Sequence, residues 1–282
     1  MILCSQSLKA FPFAVWAPRF SVKNPRASCC WQGICNVLND NQDAYGHQLY
    51  DSFKGRQVIE VVERDDGLVD PSESLPKYYL SEYKDWTLRE RQAARFVKGR
   101  VLDVGCGGGR WSLYLQKKGK EVLGIDISPL AVKVCKLRGL RNVMVKSISQ
   151  VNSRLGRFDT ILMICNNFGL FGSSKRARRL LKQFDDMTSP NARIITESVD
   201  IYKPPVDPVH RRYHLRNRRR GRMPGQLRIR IRYRSYATPW FDYLLVSKLE
   251  MKEILQGTGW KVGRFIESKK SPAYIAILKK AT

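Results

Sequence analysis

The chain has 282 residues, and its 51 Lys and Arg outnumber its 25 Asp and Glu, which gives a formal net charge of +26. An apolar fraction of 43% is that of a globular protein and argues against disorder throughout. No apolar run reaches the roughly 20 residues that a membrane span needs, so we expect no membrane span. The charge predicts attraction to polyanions such as nucleic acid, with a basic surface kept for solubility as the alternative.

The first 39 residues carry four basic residues and no acid. They show neither a helical nor a strand period, so we interpret residues 1–39 as a disordered or extraneous extension. An acid-free basic segment is also typical of an organellar transit peptide, which is the second interpretation.

Seven cysteines are scattered along the chain without regular spacing. An odd, irregular set argues against a disulfide framework and for a reducing compartment, so we expect a cytoplasmic protein. Without a CxxC pair, and with three histidines, we predict no metal site.

Residues 40–99 are predicted to form a helical cap segment, since Asp85–Lys98 shows mainly helical apolar spacing. Residues 100–282 then alternate strands with helices. Solidly apolar strands of this kind predict an α/β fold with a doubly wound, mostly parallel sheet covered by helices on both faces. The predicted strands are Val101–Val104, Val122–Ile125, Val143–Val145, Phe158–Ile164, Arg193–Thr196, Lys261–Ile266 and Ala273–Leu278.

An insert at residues 200–246 follows the fifth strand. Eleven arginines and no lysine lie between Arg211 and Arg234. From Leu227 to Arg234 apolar residues alternate with arginines, which predicts a strand with one apolar and one cationic face and a hairpin partner at Trp240–Val246. The arginines are predicted to bind an anionic acceptor, with nucleic acid as one candidate; the alternative is a solvated face or pairing with acids elsewhere in the chain.

A glycine-rich turn joins the first of these strands to a helix, in the sequence Val101–Arg110 (VLDVGCGGGR). Glycines permit positive φ and close approach of a ligand, and the helix N-terminus offers free N–H groups. A dinucleotide fingerprint that starts at Gly105 needs glycine at position 110, where this chain has Arg110. The pattern is instead DxGxGxG, and Asp103 suits the ammonium group of an amino-acid tail.

A second acid, Asp126, ends the second strand 23 residues after Asp103. A carboxylate at that strand end can accept hydrogen bonds from both hydroxyls of a ribose. The alternative is an acid at the N-terminus of the helix that Ser128 and Pro129 open. The pairing with DxGxGxG favours ribose binding.

These two segments, VLDVGCGGGR and VLGIDIS, resemble the class I S-adenosylmethionine-dependent methyltransferases over roughly residues 100–280. The resemblance implies a seven-stranded sheet whose last strand is antiparallel, and S-adenosylmethionine as cofactor. It implies that the glycine loop holds the methionine part of the cofactor and Asp126 the ribose. It assigns to cofactor binding Asp103, Gly105, Cys106, Gly107, Gly109, Asp126, Ile127, Ser147, Ile148 and Cys165.

Two strand ends depart from the family pattern. Where the family often has an acid near the adenine, this chain has Ser147, followed by Ile148. Ser147 would hydrogen-bond to the adenine, and Ile148 would stack on it. After the fourth strand it has Asn166-Asn167-Phe-Gly where amino-methylating members often have Asn-Pro-Pro-aromatic, so N6-adenine chemistry is not supported. Asn166 and Asn167 are the candidate catalytic residues, or else they shape the turn; Cys165 lies near the expected methyl position.

Three hypotheses follow. The first is an active methyltransferase whose acceptor the sequence does not identify, with an anionic compound as one candidate. The second is a nicotinamide-dependent enzyme, against which the residue at position 110 counts. The third is a non-catalytic Rossmann-like module that binds nucleic acid through the arginine insert. The sequence does not predict the oligomeric state.

Overall fold

The computed structural model of the protein describes residues 37–204, 206–269 and 271–281, and most of the predicted extension therefore lies outside the described residues. Two sheets form the framework. The helices are α1 (Ala44–Phe53), α2 (Ser74–Tyr78), α3 (Leu88–Ala94), α4 (Arg110–Lys117), α5 (Pro129–Leu137), α6 (Ser174–Asp186), α7 (Pro208–Arg219) and α8 (Lys248–Leu255). The strands are β1 (Glu60–Arg64), β2 (Val69–Ser72), β3 (Val101–Val104), β4 (Val122–Asp126), β5 (Val143–Val145), β6 (Phe158–Met163), β7 (Thr188–Val199), β8 (Gln226–Tyr233), β9 (Tyr236–Ala237), β10 (Phe241–Leu244), β11 (Trp260–Glu267) and β12 (Ala273–Lys280).

The large sheet has seven strands in the order β11-β12-β7-β6-β3-β4-β5. The strands from β3 to β7 pair in parallel, whereas β12 runs antiparallel to both of its neighbours. The central strands carry apolar side chains on both faces because helices cover both faces, and two separate apolar clusters fill the two layers. The predicted seven-stranded, mostly parallel α/β sheet is confirmed.

Local capping sets the helix boundaries. Ser128 caps α5 through its side chain with Pro129 at the first position, as the sequence predicted, and Ser173 caps α6. The helix predicted over Asp85–Lys98 is wrong at both ends. It begins after Thr87, because Thr87 and Glu90 form a capping box, and Trp86 instead packs against Trp111.

A small antiparallel sheet contains the predicted strand at Leu227–Arg234 and a partner within Trp240–Val246, and it joins them to β1 and β2, a pairing that the sequence did not predict. Its order is β10-β8-β1-β2, with β9 paired to β8. Residues 40–99 are thus not only helical, because they supply β1 and β2. The insert also contains α7, which Asp207 caps with Pro208 at its first position, a helix start that the sequence analysis overlooked.

Candidate active site

A cavity of about 420 Å³ lies between the carboxyl ends of β3, β4 and β6 and the small sheet. Ligands of open α/β sheets bind at this edge, which makes the cavity the candidate site. Ten of the twelve residues predicted for the site line it, namely Asp103, Gly105, Cys106, Gly107, Asp126, Ile127, Ser147, Ile148, Cys165 and Asn167.

The glycine loop adopts a backbone that side chains would disturb. Gly105 and Gly107 have φ of 71° and 53°. A Cβ atom at Gly107 would lie 2.5 Å from the hydroxyl oxygen of Tyr45, so the loop forms a cradle that a larger residue would fill. Gly109 does not line the cavity; it starts α4 with φ of 77° and packs against Cys135.

Asn167 holds this loop in place from the neighbouring strand end. Its Nδ2 donates to the carbonyl oxygens of Val104 and Gly105, at 3.0 and 2.9 Å. Because these bonds fix the backbone of the glycine loop, Asn167 acts on it as a positioning residue.

Two buried carboxylates lie on the side of the cavity that the glycine loop forms. Asp126 accepts from the backbone N–H of Gly107 through Oδ2 and of Ser128 through Oδ1, both at 2.9 Å. Asp103 accepts from the hydroxyl of Ser112 at 2.6 Å. Burial raises the pKa of each carboxyl to about 6. Each oxygen of Asp126 can accept a further hydrogen bond, since a carboxylate has about four acceptor positions.

The turn after β6 is strained. Cys165 and Asn166 have φ of 61° and 60°, which non-glycine residues seldom adopt. Glu197 stabilises the turn by accepting from the N–H of Cys165 at 2.9 Å, and Tyr243 donates its hydroxyl to the carbonyl of Asn166 at 2.8 Å. Asn166 is buried and does not line the cavity, so among the described residues its visible contribution is to the turn.

Arg110 is a site residue that the sequence analysis used only to exclude a dinucleotide fingerprint. Its Nη1 donates to Oε1 of Glu90 at 2.5 Å, and its guanidinium lies over Tyr78, 4.2 Å from the ring centroid. Its Nε and Nη2 are buried and have no hydrogen-bond partner among the described residues. Arg110 itself lines the cavity, so a buried guanidinium with two unpaired nitrogens lies beside it.

The small sheet supplies the opposite wall. Ile229 and Ile231 of β8 and Phe241 and Tyr243 of β10 line the cavity. The arginines of β8 alternate with these isoleucines along the strand, so they point to the other face of the sheet.

The arginines of this strand pair with acids of the same chain. Arg230 and Arg232 both contact Glu63, Arg228 contacts Asp242, and Arg234 contacts Asp51. Of the two interpretations of the alternating arginines, pairing with acids elsewhere in the chain is the one that the geometry supports.

The comparisons with known proteins concern this same region. A family model described as "Methyltransferase domain" matches residues 101–191. The chain also aligns with a SAM-dependent methyltransferase of Bacteroides fragilis, solved in complex with S-adenosyl-L-homocysteine. That alignment has 27% identity and a TM-score of 0.73, and it covers 87% of this chain and 98% of the other. The chain therefore contains a methyltransferase domain over residues 101–191 and resembles S-adenosylmethionine-dependent methyltransferases over most of its length.

Two curated relatives match over a shorter segment. A 2-heptyl-1-hydroxyquinolin-4(1H)-one methyltransferase of Mycobacteroides abscessus is 42% identical over 72 residues, which are 23% of this chain and 32% of the relative. A ubiquinone biosynthesis O-methyltransferase of Xanthomonas oryzae pv. oryzae is 40% identical over 68 residues, or 22% and 28% of the two chains. The chain thus spans about a third or less of the length of these relatives, and the acceptor does not follow from them.

These comparisons support the predicted family, enzyme class and cofactor. The nicotinamide-dependent alternative has no support. Within the described residues, no helix is long and apolar enough to cross a membrane, and no cluster of three His, Cys, Asp or Glu suits a metal ion.

Proposed function

We propose that this methyltransferase transfers the methyl group of S-adenosylmethionine to a hydroxyl group on a small ring compound. The observation that carries the proposal is the composition of the cavity wall opposite the glycine loop. Apolar and aromatic side chains dominate that wall, among them Ile229, Ile231, Phe241 and Tyr243. Such walls bind flat apolar ligands, with a few polar groups that fix their orientation.

The size of the cavity supports a small acceptor. The cofactor and the reacting part of the acceptor share about 420 Å³, which leaves room for a ring rather than for a folded polymer. Of the eleven arginines predicted to bind an anionic acceptor or nucleic acid, the four from Arg228 to Arg234 pair with acids of the same chain. No described contact favours the nucleic-acid-binding alternative.

The cofactor-binding residues are proposed from their positions. Asp126 holds the ribose through the acceptor positions that its two backbone bonds leave available. Ile127 follows β4, and Ser147 and Ile148 follow β5. All three line the cavity at positions that suit the adenine ring. Asp103 and the loop from Gly105 to Gly107 hold the amino-acid tail.

Arg110 is proposed as the partner of the cofactor's carboxylate. A buried guanidinium with two unpaired donors favours a carboxylate, since the two groups form paired, charge-assisted hydrogen bonds. S-adenosylmethionine, when bound, supplies a methyl group on a positively charged sulfur, so the protein's task is to align the acceptor and exclude water.

The names of the two curated relatives agree with this acceptor class. One is named for a hydroxylated quinolone and the other as an O-methyltransferase. Because the matches cover short segments, the proposal depends on the cavity wall, and the names suggest suitable probes.

The function is tested with the purified full chain. We expect calorimetry to detect binding of S-adenosylhomocysteine and none of NADH. With labelled S-adenosylmethionine, we expect label to enter 2-heptyl-1-hydroxyquinolin-4(1H)-one or catechol, whereas 2-heptylquinolin-4(1H)-one, which lacks the N-hydroxyl group, serves as the control. If the protein binds S-adenosylhomocysteine but labels neither hydroxylated compound, the proposed acceptor class is wrong.

A further inference from the structure

Glu60 is a buried carboxylate in the cavity that the cofactor assignment does not use. It begins β1, has 1% of its surface exposed and lines the cavity. In the pairing of β1 with β8, Val62 lies opposite Ile231 and Glu63 opposite Arg230. Strand alternation therefore puts Glu60 on the same face as Val62 and Ile231, the face that forms the acceptor wall.

The carboxylate is held by neutral donors. Tyr79 donates its hydroxyl to Oε1 at 3.1 Å, and the side-chain amide of Gln48 donates to Oε2. The other two buried glutamates of the described chain each pair with an arginine, Glu90 with Arg110 and Glu197 with Arg89. No Lys or Arg nitrogen of the described residues lies within 4 Å of Glu60, so no cation neutralises its charge.

The titratable groups around Glu60 come from four elements. Tyr45 of α1, Tyr79 after α2 and Tyr243 of β10 interact with its charge, and Asp70 of β2 disfavours the ionised form. Burial is the largest effect and raises the pKa of Glu60 to about 7. A base is most effective when its pKa lies near the working pH, because it is then both available and basic enough to take a proton.

We propose that Glu60 is the general base that removes the proton from the acceptor hydroxyl, an inference that rests on the proposed function. As the new oxygen–carbon bond forms, the sulfur–carbon bond breaks and one proton leaves the hydroxyl group. The Glu60 carboxylate takes up that proton and then releases it to water, so the reaction yields the methyl ether, S-adenosylhomocysteine and one proton. The assignment favours weakly acidic ring hydroxyls over aliphatic alcohols.

The neighbouring tyrosines support this direction of proton transfer. Burial raises the pKa of Tyr79 and Tyr243 above the ordinary value, so both remain protonated and act as donors near neutral pH. Tyr243 already donates to the carbonyl of Asn166, and Tyr79 to Glu60 itself. Among these groups, Glu60 is therefore the one that accepts a proton at neutral pH.

The decisive variant is Glu60→Gln, with Glu63→Gln as the control from the opposite face of the same strand. On the hydroxyl probe that the wild type methylates, Glu60→Gln should lower kcat about 10²–10⁴-fold, the usual contribution of a general base. Wild-type kcat should rise with pH through about 7, whereas the variant should lack this inflection. Glu63→Gln should keep both the rate and the profile.

Two further measurements separate the base role from a structural one. Affinity for S-adenosylhomocysteine should stay within about twofold of the wild type in Glu60→Gln, which shows that the variant is folded. Tyr79→Phe removes a hydrogen bond that favours the ionised carboxylate, so the inflection should move to higher pH.

The outcomes distinguish this inference from the proposed function. If the wild type methylates a probe and Glu60→Gln does so with equal kcat and an unchanged profile, Glu60 is not the base although the acceptor class stands. A change in KM alone would make Glu60 a binding residue and would also overturn the inference. If the wild type methylates no hydroxyl probe, the acceptor class fails and the base role fails with it.

Discussion

At the scale of single residues, the site depends on carboxylates whose environments differ. Asp126 bonds two backbone N–H groups, Glu60 bonds neutral side chains, and Glu90 pairs with a buried arginine. Hydrogen bonds and a nearby cation favour the ionised form, whereas burial alone opposes it. The arginine holds the pKa of Glu90 below its ordinary value, whereas burial raises the pKa of the other two.

Cofactor affinity should therefore depend on the ionisation of Asp126. The carboxylate must be ionised to accept from two ribose hydroxyls, so affinity for S-adenosylhomocysteine should fall as the pH decreases through about 6. At pH 8, Asp126→Ala should weaken binding by about 2–4 kcal/mol, since each charge-assisted bond contributes about 1.5–3 kcal/mol. Calorimetry from pH 5 to 8 measures both effects.

The pKa of Asp103 is also raised to about 6, so Asp126→Ala serves as the control for the calorimetry between pH 5 and 8. Any dependence that persists in Asp126→Ala belongs to Asp103. Wild-type affinity that stays constant between pH 5 and 8 would contradict the assignment of the ribose to Asp126.

Arg110 gives a second prediction at this scale. Arg110→Lys keeps the charge but loses the planar pair of donors, so S-adenosylhomocysteine should bind at least tenfold more weakly, while adenosine, which has no carboxylate, should bind as before. Calorimetry with the two ligands makes the comparison. An equal loss for both ligands would show that Arg110 supports the fold of the cavity rather than the carboxylate.

The raised pKa of Glu60 also has a consequence for stability. A carboxyl group whose folded pKa lies above its unfolded pKa contributes stability below about pH 4.5, and this contribution is lost as the pH rises through about 7. Glu60→Gln should therefore unfold at a higher temperature than the wild type at pH 8. Thermal unfolding at pH 5 and pH 8 tests the sign, and a variant that is less stable at pH 8 would contradict it.

At the scale of elements, β8 separates two kinds of contact. Its isoleucines line the cavity, and Ile229 belongs to an apolar cluster with Tyr213 of α7, while its arginines pair with acids. The two faces should respond differently to substitution, because burial of apolar surface contributes more to stability than an exposed ion pair.

Ile229→Ala and Arg232→Ala compare the two faces directly. Ile229 is 3% exposed, so its truncation should lower the free energy of unfolding by about 2–4 kcal/mol. Arg232 has about half of its side chain exposed, so its loss should cost less than about 1 kcal/mol. Urea unfolding measures both values, and similar losses would mean that the arginine face also stabilises the fold.

At the scale of the whole molecule, the site lies between two sheets that must keep their relative position. Gly169, in the turn after β6, faces Tyr243 of β10, and a Cβ atom there would lie 2.3 Å from the tyrosine ring. Gly169→Ala should move Tyr243 away, lower the melting temperature and weaken acceptor turnover more than binding of S-adenosylhomocysteine. Equal effects on both, or none, would show that the sheets adjust independently of the site.

The sequence by itself determined the large sheet and the side of the cavity that the glycine loop forms. Solidly apolar strands, the helix start at Ser128–Pro129, and the spacing of Asp103, the glycines and Asp126 are local signals, and the carboxyl ends of parallel strands meet at the same edge of the sheet. These features required no knowledge of distant contacts.

The tertiary structure alone decided the acceptor side. Glu60 and Ile229 are 169 residues apart in the chain and share a face because β1 pairs with β8, a contact that no local pattern encodes. The alternation in β8 predicted its two faces but did not predict which face meets the cavity. That choice depends on the acids that β1 and β10 bring beside the arginines, because pairing removes the cationic face from the cavity and leaves the apolar face to line it.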